Sequence, residues 1–100
     1  MQSGGIVRVK WLKTATRNLD AAMEYIAQED PESAKKIYAY IRERVAALAT
    51  QPSMGKPGRV FGTRELVIER YPYIVPYRIL ENEVQIIRVF HTIRKLPKSW

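Results

Sequence analysis

The stretch "YIVPYRILENEVQIIRVFH", Tyr73 to His91, decides how the rest of the chain must fold. Two runs rich in Val, Ile and Tyr flank the pair Glu81-Asn82, the pattern of a tight β-hairpin. If that turn has two residues, Leu80 faces Glu83 and Arg78 faces Gln85, and the side chains sort with a period of two. One face then carries Tyr73, Val75, Tyr77, Ile79, Val84, Ile86, Arg88 and Phe90. The other carries Ile74, Pro76, Arg78, Leu80, Glu83, Gln85, Ile87, Val89 and His91. The first set is the more apolar and is assigned to the core. Pro76 has no N–H to give a neighbouring strand, so a bulge or an unpaired position is expected there.

Upstream, "RELVIE" (Arg64 to Glu69) reads as a further strand and "IVRVKWL" (Ile6 to Leu12) as a half-buried one. In the latter Val7, Val9 and Trp11 point one way and Ile6, Arg8 and Lys10 the other. Between these strands lie two helical stripes. Thr14 is the expected N-cap of the first, in which Ala15, Leu19, Ala22, Met23 and Ile26 recur at helical spacing. Asp30 caps the second, with Pro31 at the position where a missing N–H costs nothing. Its stripe is Ala34, Ile37, Tyr38, Ile41, Val45 and Leu48. So short a break between the helices predicts an antiparallel hairpin. "QPSMGKPGRVFGT" (Gln51 to Thr63), with two prolines and three glycines, is the loop back to the sheet. The order is β-α-α-β-β-β, an α+β domain with a helical hairpin on one face of a mostly antiparallel four-stranded sheet.

One hundred residues suffice for a single domain, residues 1–100, with residues 1–5 expected to be disordered and residues 92–100 a basic tail. The formal net charge is +7. Residues 51–100 hold nine Lys/Arg against four acids, residues 1–50 eight against six. A basic surface points to an acidic partner: nucleic acid, a ribosome or an acidic protein segment. Cysteine is absent, which fits a reducing cytoplasmic setting. No apolar run approaches the roughly 20 residues of a membrane-spanning helix.

Chemistry-bearing constellations are few. One histidine and no cysteine exclude metal sites of the Cys/His kind, and neither a metal nor a cofactor is expected. "GKPG" is not a phosphate cradle, and no G-x-S-x-G marks a nucleophile. What remains is cationic. Arg78 and Arg88 lie in strands, and a lone His91 is more often a hydrogen-bonded strand-end residue than a general base. "FHTIRKLPKSW" (Phe90 to Trp100) holds the histidine, three basic residues and a final indole with no acid.

The element order, the loop "GKPGRVFGTREL", the strand "YPYIVPYRI" and the ending "IIRVFHTIRK" together resemble the RelE/ParE toxin superfamily, most closely its ParE branch, over Val7 to Pro97. That resemblance implies the toxin of a type II toxin–antitoxin pair, with plasmid stabilization among its family associations and a ParD-like antitoxin as partner. It leaves two activities open. The ParE branch is associated with poisoning DNA gyrase, which requires binding and no chemistry by the toxin. The RelE branch cuts mRNA on the ribosome. Aligned on that branch, its strand arginine falls at Ile74, its two lysines near Glu65 and Val67, and its terminal tyrosine near Trp100; only Arg94 has a clear basic counterpart.

An indole cannot act as a general base, and Glu and Val cannot hold a phosphate, so the ParE reading is preferred and a non-enzymatic role expected. Target-binding candidates are Arg59, Arg64, His91, Arg94, Lys95, Lys98 and Trp100, with Arg64 also a candidate anchor for the "GTREL" corner. If the chain were a ribonuclease, His91, Arg94 and Arg78 would be the catalytic set. The aliphatic outer sheet face, Ile74, Ile87 and Val89 with Arg78, is the expected antitoxin-binding surface. A stand-alone nucleic-acid-binding domain is a third reading, weakened by the mixed charges of the first helix, Arg17 beside Asp20 and Glu24.

Overall fold

The structure, a computed structural model, describes residues 6–93 together with Trp100. Its elements run β1 (Arg8–Trp11), α1 (Lys13–Ala27), α2 (Pro31–Ala46), a 3-10 turn (Ala47–Ala49), β2 (Lys56–Pro57), β3 (Arg64–Ile68), β4 (Tyr73–Leu80), β5 (Glu83–Ile86) and β6 (Phe90–His91). The expected four strands become six, because a two-residue strand, β2, forms in the Pro/Gly loop and the last strand is split into β5 and β6. The sheet order is β1-β5-β4-β3-β2, with β6 also paired to β4. All pairs are antiparallel except β1 with β5.

Helix α1 begins one residue before the expected cap. Leu12 stands at the N-cap without a side-chain bond, and Thr14 lies within the first turn. The chain enters α1 straight from β1, where the Leu12 N–H is already donated to the Ile86 carbonyl, so the sheet sets the start of the helix. Asp30 does cap α2: its carboxylate accepts from the Ser33 N–H (3.1 Å) and hydroxyl (2.6 Å), with Pro31 following. These bonds lower the Asp30 pKa, the Ser33 hydroxyl first among them.

Ala15, Leu19 and Met23 of α1 join Ile41, Val45 and Leu48 against Leu66, Ile68, Tyr73, Val75, Tyr77, Val84 and Ile86 to form the core. Val7, Val9 and Trp11 pack on its margin, as the alternation of β1 predicts. Tyr38 is the exception in the second stripe. It is exposed, and the Arg42 guanidinium lies over its ring (5.8 Å) and over Trp11 (5.0 Å).

The hairpin register is the predicted one, Leu80 opposite Glu83 and Arg78 opposite Gln85. It does not persist. Tyr77 pairs with Ile86, but Ile74 pairs with Phe90, so two residues of β4 face three of the returning chain. This is a β-bulge, sited where Pro76 supplies only a carbonyl, which accepts from the Ile87 N–H (2.9 Å). The extra residue inverts every side chain beyond it. Val89, assigned above to the outer face, is in the core, whereas Arg88 and Phe90, assigned to the core, are only partly buried. Ile79 also leaves the core and is exposed at the far end of β4. At the bulge, the Val89 N–H is taken up by the Asn18 side chain of α1 (3.1 Å).

Candidate functional site

The loop from Lys56 to Thr63 and the chain end meet on the sheet face opposite the helices. Glu65 and Val67 of β3 alternate with the core residues Leu66 and Ile68 and so face outward. Glu65 is only 3% exposed, and a carboxylate so buried needs partners. Arg59 supplies them: its backbone N–H (2.9 Å), Nε (2.9 Å) and one terminal nitrogen (3.3 Å) all donate to the carboxylate. Burial alone would raise the Glu65 pKa; the Arg59 bonds outweigh it and hold the group below its ordinary value. The same bond raises the Arg59 pKa.

The Arg59 guanidinium lies over the Trp100 ring at 4.9 Å. Trp100 in turn stacks on Phe90 (5.2 Å between centroids, 29° between planes) and points its indole N–H at the Thr63 hydroxyl (3.4 Å). Arg88 reaches the Trp100 carbonyl (3.3 Å) and the Ile87 carbonyl (2.9 Å). Trp100, expected as a target-binding residue of the basic tail, is docked on the protein's own surface. Its indole bridges the loop after β2 and strand β6, which the unbroken alternation would have kept on opposite faces.

Arg64 is the anchor its position suggested. Its guanidinium donates to the Gly55 carbonyl (2.6 Å) and the Ser53 carbonyl (3.3 Å). Behind it the Tyr77 hydroxyl accepts from the Gly55 N–H (2.8 Å) and donates to the Pro52 carbonyl (2.7 Å), so the loop is fastened twice. A Cβ on Gly55 would lie 2.7 Å from the Tyr77 ring and hydroxyl, which is why glycine stands there.

His91 lies on the other side of the sheet. Its ring meets Tyr73 edge-on (5.1 Å, 83°), and its Nδ1 accepts from the Ile93 N–H (3.3 Å). It lines a cleft of about 570 Å³ with Asn18, Ala22, Tyr25 and Val89. Arg78 is on the outer face, donating to the Gln85 side chain (2.8 Å), which donates in turn to Glu83 (2.8 Å). Two of the three candidate catalytic residues thus fall on opposite faces, and Arg94 lies outside the described residues, as do Lys95 and Lys98. The expected antitoxin surface also changes. Ile74, Ile87 and Val89 are 5%, 9% and 6% exposed within the chain itself, so of that set only Arg78 is exposed.

Sequence reasoning passed over Glu65, Phe90, Arg88 and Tyr77. For Glu65 a signal existed: an acid six residues after Arg59 across a Gly-containing turn, in a chain short of acids. For Phe90 and Arg88 none did, because the bulge decides their face.

Among the described residues, no group of His, Cys, Asp and Glu could hold a metal ion, and no helix is long and apolar enough to cross a membrane. The chain belongs to the ParE toxin family of the type II toxin–antitoxin system parDE, whose model matches residues 9–96. It is 43% identical over 91 residues to the putative toxin Y4kP of Sinorhizobium fredii, covering 91% of this chain and 94% of that one. Among solved structures, the chromosomal ParDE toxin–antitoxin system of P. aeruginosa superposes with a TM-score of 0.80 at 32% identity, covering 86% of this chain and 96% of that one. The RelBE2 toxin–antitoxin complex of Mycobacterium tuberculosis gives 0.62 at 29% identity, with 86% and 98% covered. The β-α-α-β order and the helical hairpin on a mixed sheet are the architecture these relatives share.

Proposed function

We propose that this toxin acts by binding DNA gyrase and trapping it on cleaved DNA, in the cytoplasm, and that a ParD-like antitoxin neutralises it. The observation that carries this reading is the separation of the would-be ribonuclease residues. His91 turns into the cleft beneath α1, whereas Arg78 is bonded to Gln85 on the outer face. General acid–base cleavage needs proton donor and acceptor within hydrogen-bonding reach of one bond, and these two cannot serve the same one. Glu65, near the position where the resemblance puts a ribonuclease lysine, is the buried counter-ion of Arg59 and supplies no cation where a phosphate would need one. A poison that works by binding needs neither.

The antitoxin reading draws on ParDE and RelBE2, both toxin–antitoxin systems. The grooves beside α1 suit an amphipathic segment: the His91 cleft, and a hollow of about 490 Å³ lined by Met23, Ala27, Ala34 and Tyr38. A chain of net charge +7 favours an acidic one.

The test is purified toxin titrated into a gyrase supercoiling reaction on relaxed plasmid, with a ribosomal mRNA-cleavage assay beside it. Loss of supercoiling with accumulating protein-linked linear DNA is expected. Untouched gyrase with new cuts in ribosome-bound mRNA would overturn the reading in favour of the RelE-type activity.

A further inference from the structure

Phe61 sits at the tip of the loop between β2 and β3 and is fully exposed, at 102% of its reference area. A single exposed apolar residue is ordinary; a rigidly presented one is less so. The loop is closed by Gly58 N–H to Thr63 carbonyl (2.8 Å), Thr63 N–H to Val60 carbonyl (3.0 Å) and Thr63 hydroxyl to the same carbonyl (2.6 Å). Gly62 has φ +85° with open space where a Cβ would be, so the backbone alone requires glycine there. A side chain at Gly58 would run into Thr63. The tip is therefore held in shape while its aromatic ring is left exposed. Beside it, Pro57 and Ile79 border a hollow of about 270 Å³ with Gly62, Thr63 and Arg64.

The two neighbouring arginines bear on what kind of partner this fits. Arg59 is committed to Glu65 and Arg64 to the Gly55 and Ser53 carbonyls. A wedge that enters nucleic acid relies on flanking cations directed at phosphates, and both guanidinium groups here are turned inward. A peptide that folds on binding seeks long grooves, and clefts of about 570 and 490 Å³ lie beside α1, whereas the hollow next to Phe61 measures only about 270 Å³. A convex, preorganised apolar knob instead needs a partner with a preformed pocket. We propose that Phe61 is the anchor by which this toxin docks into an apolar pocket of a folded target protein, with Ile79 and Pro57 as its apolar rim. This rests on the gyrase reading above.

The experiment compares wild type with Phe61→Ala and Phe61→Trp for thermal midpoint, antitoxin affinity, half-inhibitory concentration against gyrase, binding to relaxed plasmid without gyrase, and growth arrest. Phe61→Ala is expected to raise the half-inhibitory concentration at least tenfold and to relieve growth arrest, with Phe61→Trp retaining part of the activity. Its thermal midpoint and antitoxin affinity should match wild type. Inhibition by Phe61→Ala within twofold of wild type would overturn the proposal. So would an equal loss of antitoxin affinity, which makes this an antitoxin surface, or Phe61-dependent binding to bare DNA, which makes it a nucleic-acid wedge. If wild type leaves gyrase untouched, the gyrase reading fails by itself. Growth arrest then decides Phe61: lost in Phe61→Ala, the anchor stands for another protein target; unchanged, it falls.

Discussion

The Arg59 guanidinium is shared between the Glu65 carboxylate at 2.9 Å and the face of the Trp100 indole at 4.9 Å. One cation thereby neutralises the buried acid of β3 and seats the last residue of the chain against the sheet. Arginine suits this double duty because its planar group can hydrogen-bond at its edge and stack on its face at once, which a lysine cannot.

Glu65 therefore makes stability sensitive to acid. Its folded pKa lies below the ordinary 4.5, so its contribution is complete above that value and is lost as pH falls through the folded pKa. Denaturant midpoints measured from pH 7 down to pH 3 should decline below about pH 4.5, and Glu65→Gln should flatten that decline. Arg59→Ala leaves the carboxylate buried without its partner. The expected cost is about 1–3 kcal/mol, below the figure for a fully buried pair because Arg59 is a third exposed.

Tyr77→Phe removes one hydroxyl but leaves two loop groups unmatched, the Gly55 N–H and the Pro52 carbonyl. A loss of about 1–3 kcal/mol in urea unfolding is expected. Gly55→Ala, which forces a methyl against the same ring, should cost at least as much. Burial pushes the Tyr77 phenol above its ordinary 10, so its contribution holds below pH 10 and fades as pH rises beyond it.

Trp100→Ala should cost about 1–2 kcal/mol through the lost stack on Phe90 and the lost Arg59 contact. With Trp11 as the remaining indole, the change in fluorescence on unfolding then reports β1 alone. Unchanged stability would show that the docked ring adds nothing to the fold.

At the bulge, Asn18→Ala deprives the Val89 N–H of its acceptor. About 1 kcal/mol of stability should be lost, and hydrogen exchange at the Val89 amide should accelerate while that at Val75 stays slow.

Much of the architecture was written in local patterns. The Glu81-Asn82 turn fixed Leu80 opposite Glu83 because two flanking runs of alternating residues admit one pairing that buries the apolar set. Asp30-Pro31 and the two helical stripes located the helical hairpin for the same reason: each signal lies within a few residues of what it specifies. Thr14 failed as a cap because the pairing of β1 with β5, strands from opposite ends of the chain, already dictated where the helix begins.

The site was less legible. Pro76 announced an irregularity in its strand, and the structure realises it as an extra residue on the strand opposite. Beyond Ile87, that one residue exchanges inside for outside. Val89 thereby joins the core and His91 comes to face α1, while Phe90 is turned to receive Trp100.

The α+β order, the hairpin register up to Ile86, the family resemblance and the basic excess all follow from residue type, spacing and charge. Tertiary packing settles which residues share a face beyond the bulge, that Arg59 is bound to Glu65, and that Phe61 is exposed at a hydrogen-bonded tip. The physical reason is common to all three. A register shift, a buried ion pair and an exposed ring depend on how the chain packs in three dimensions, which residue spacing alone does not record.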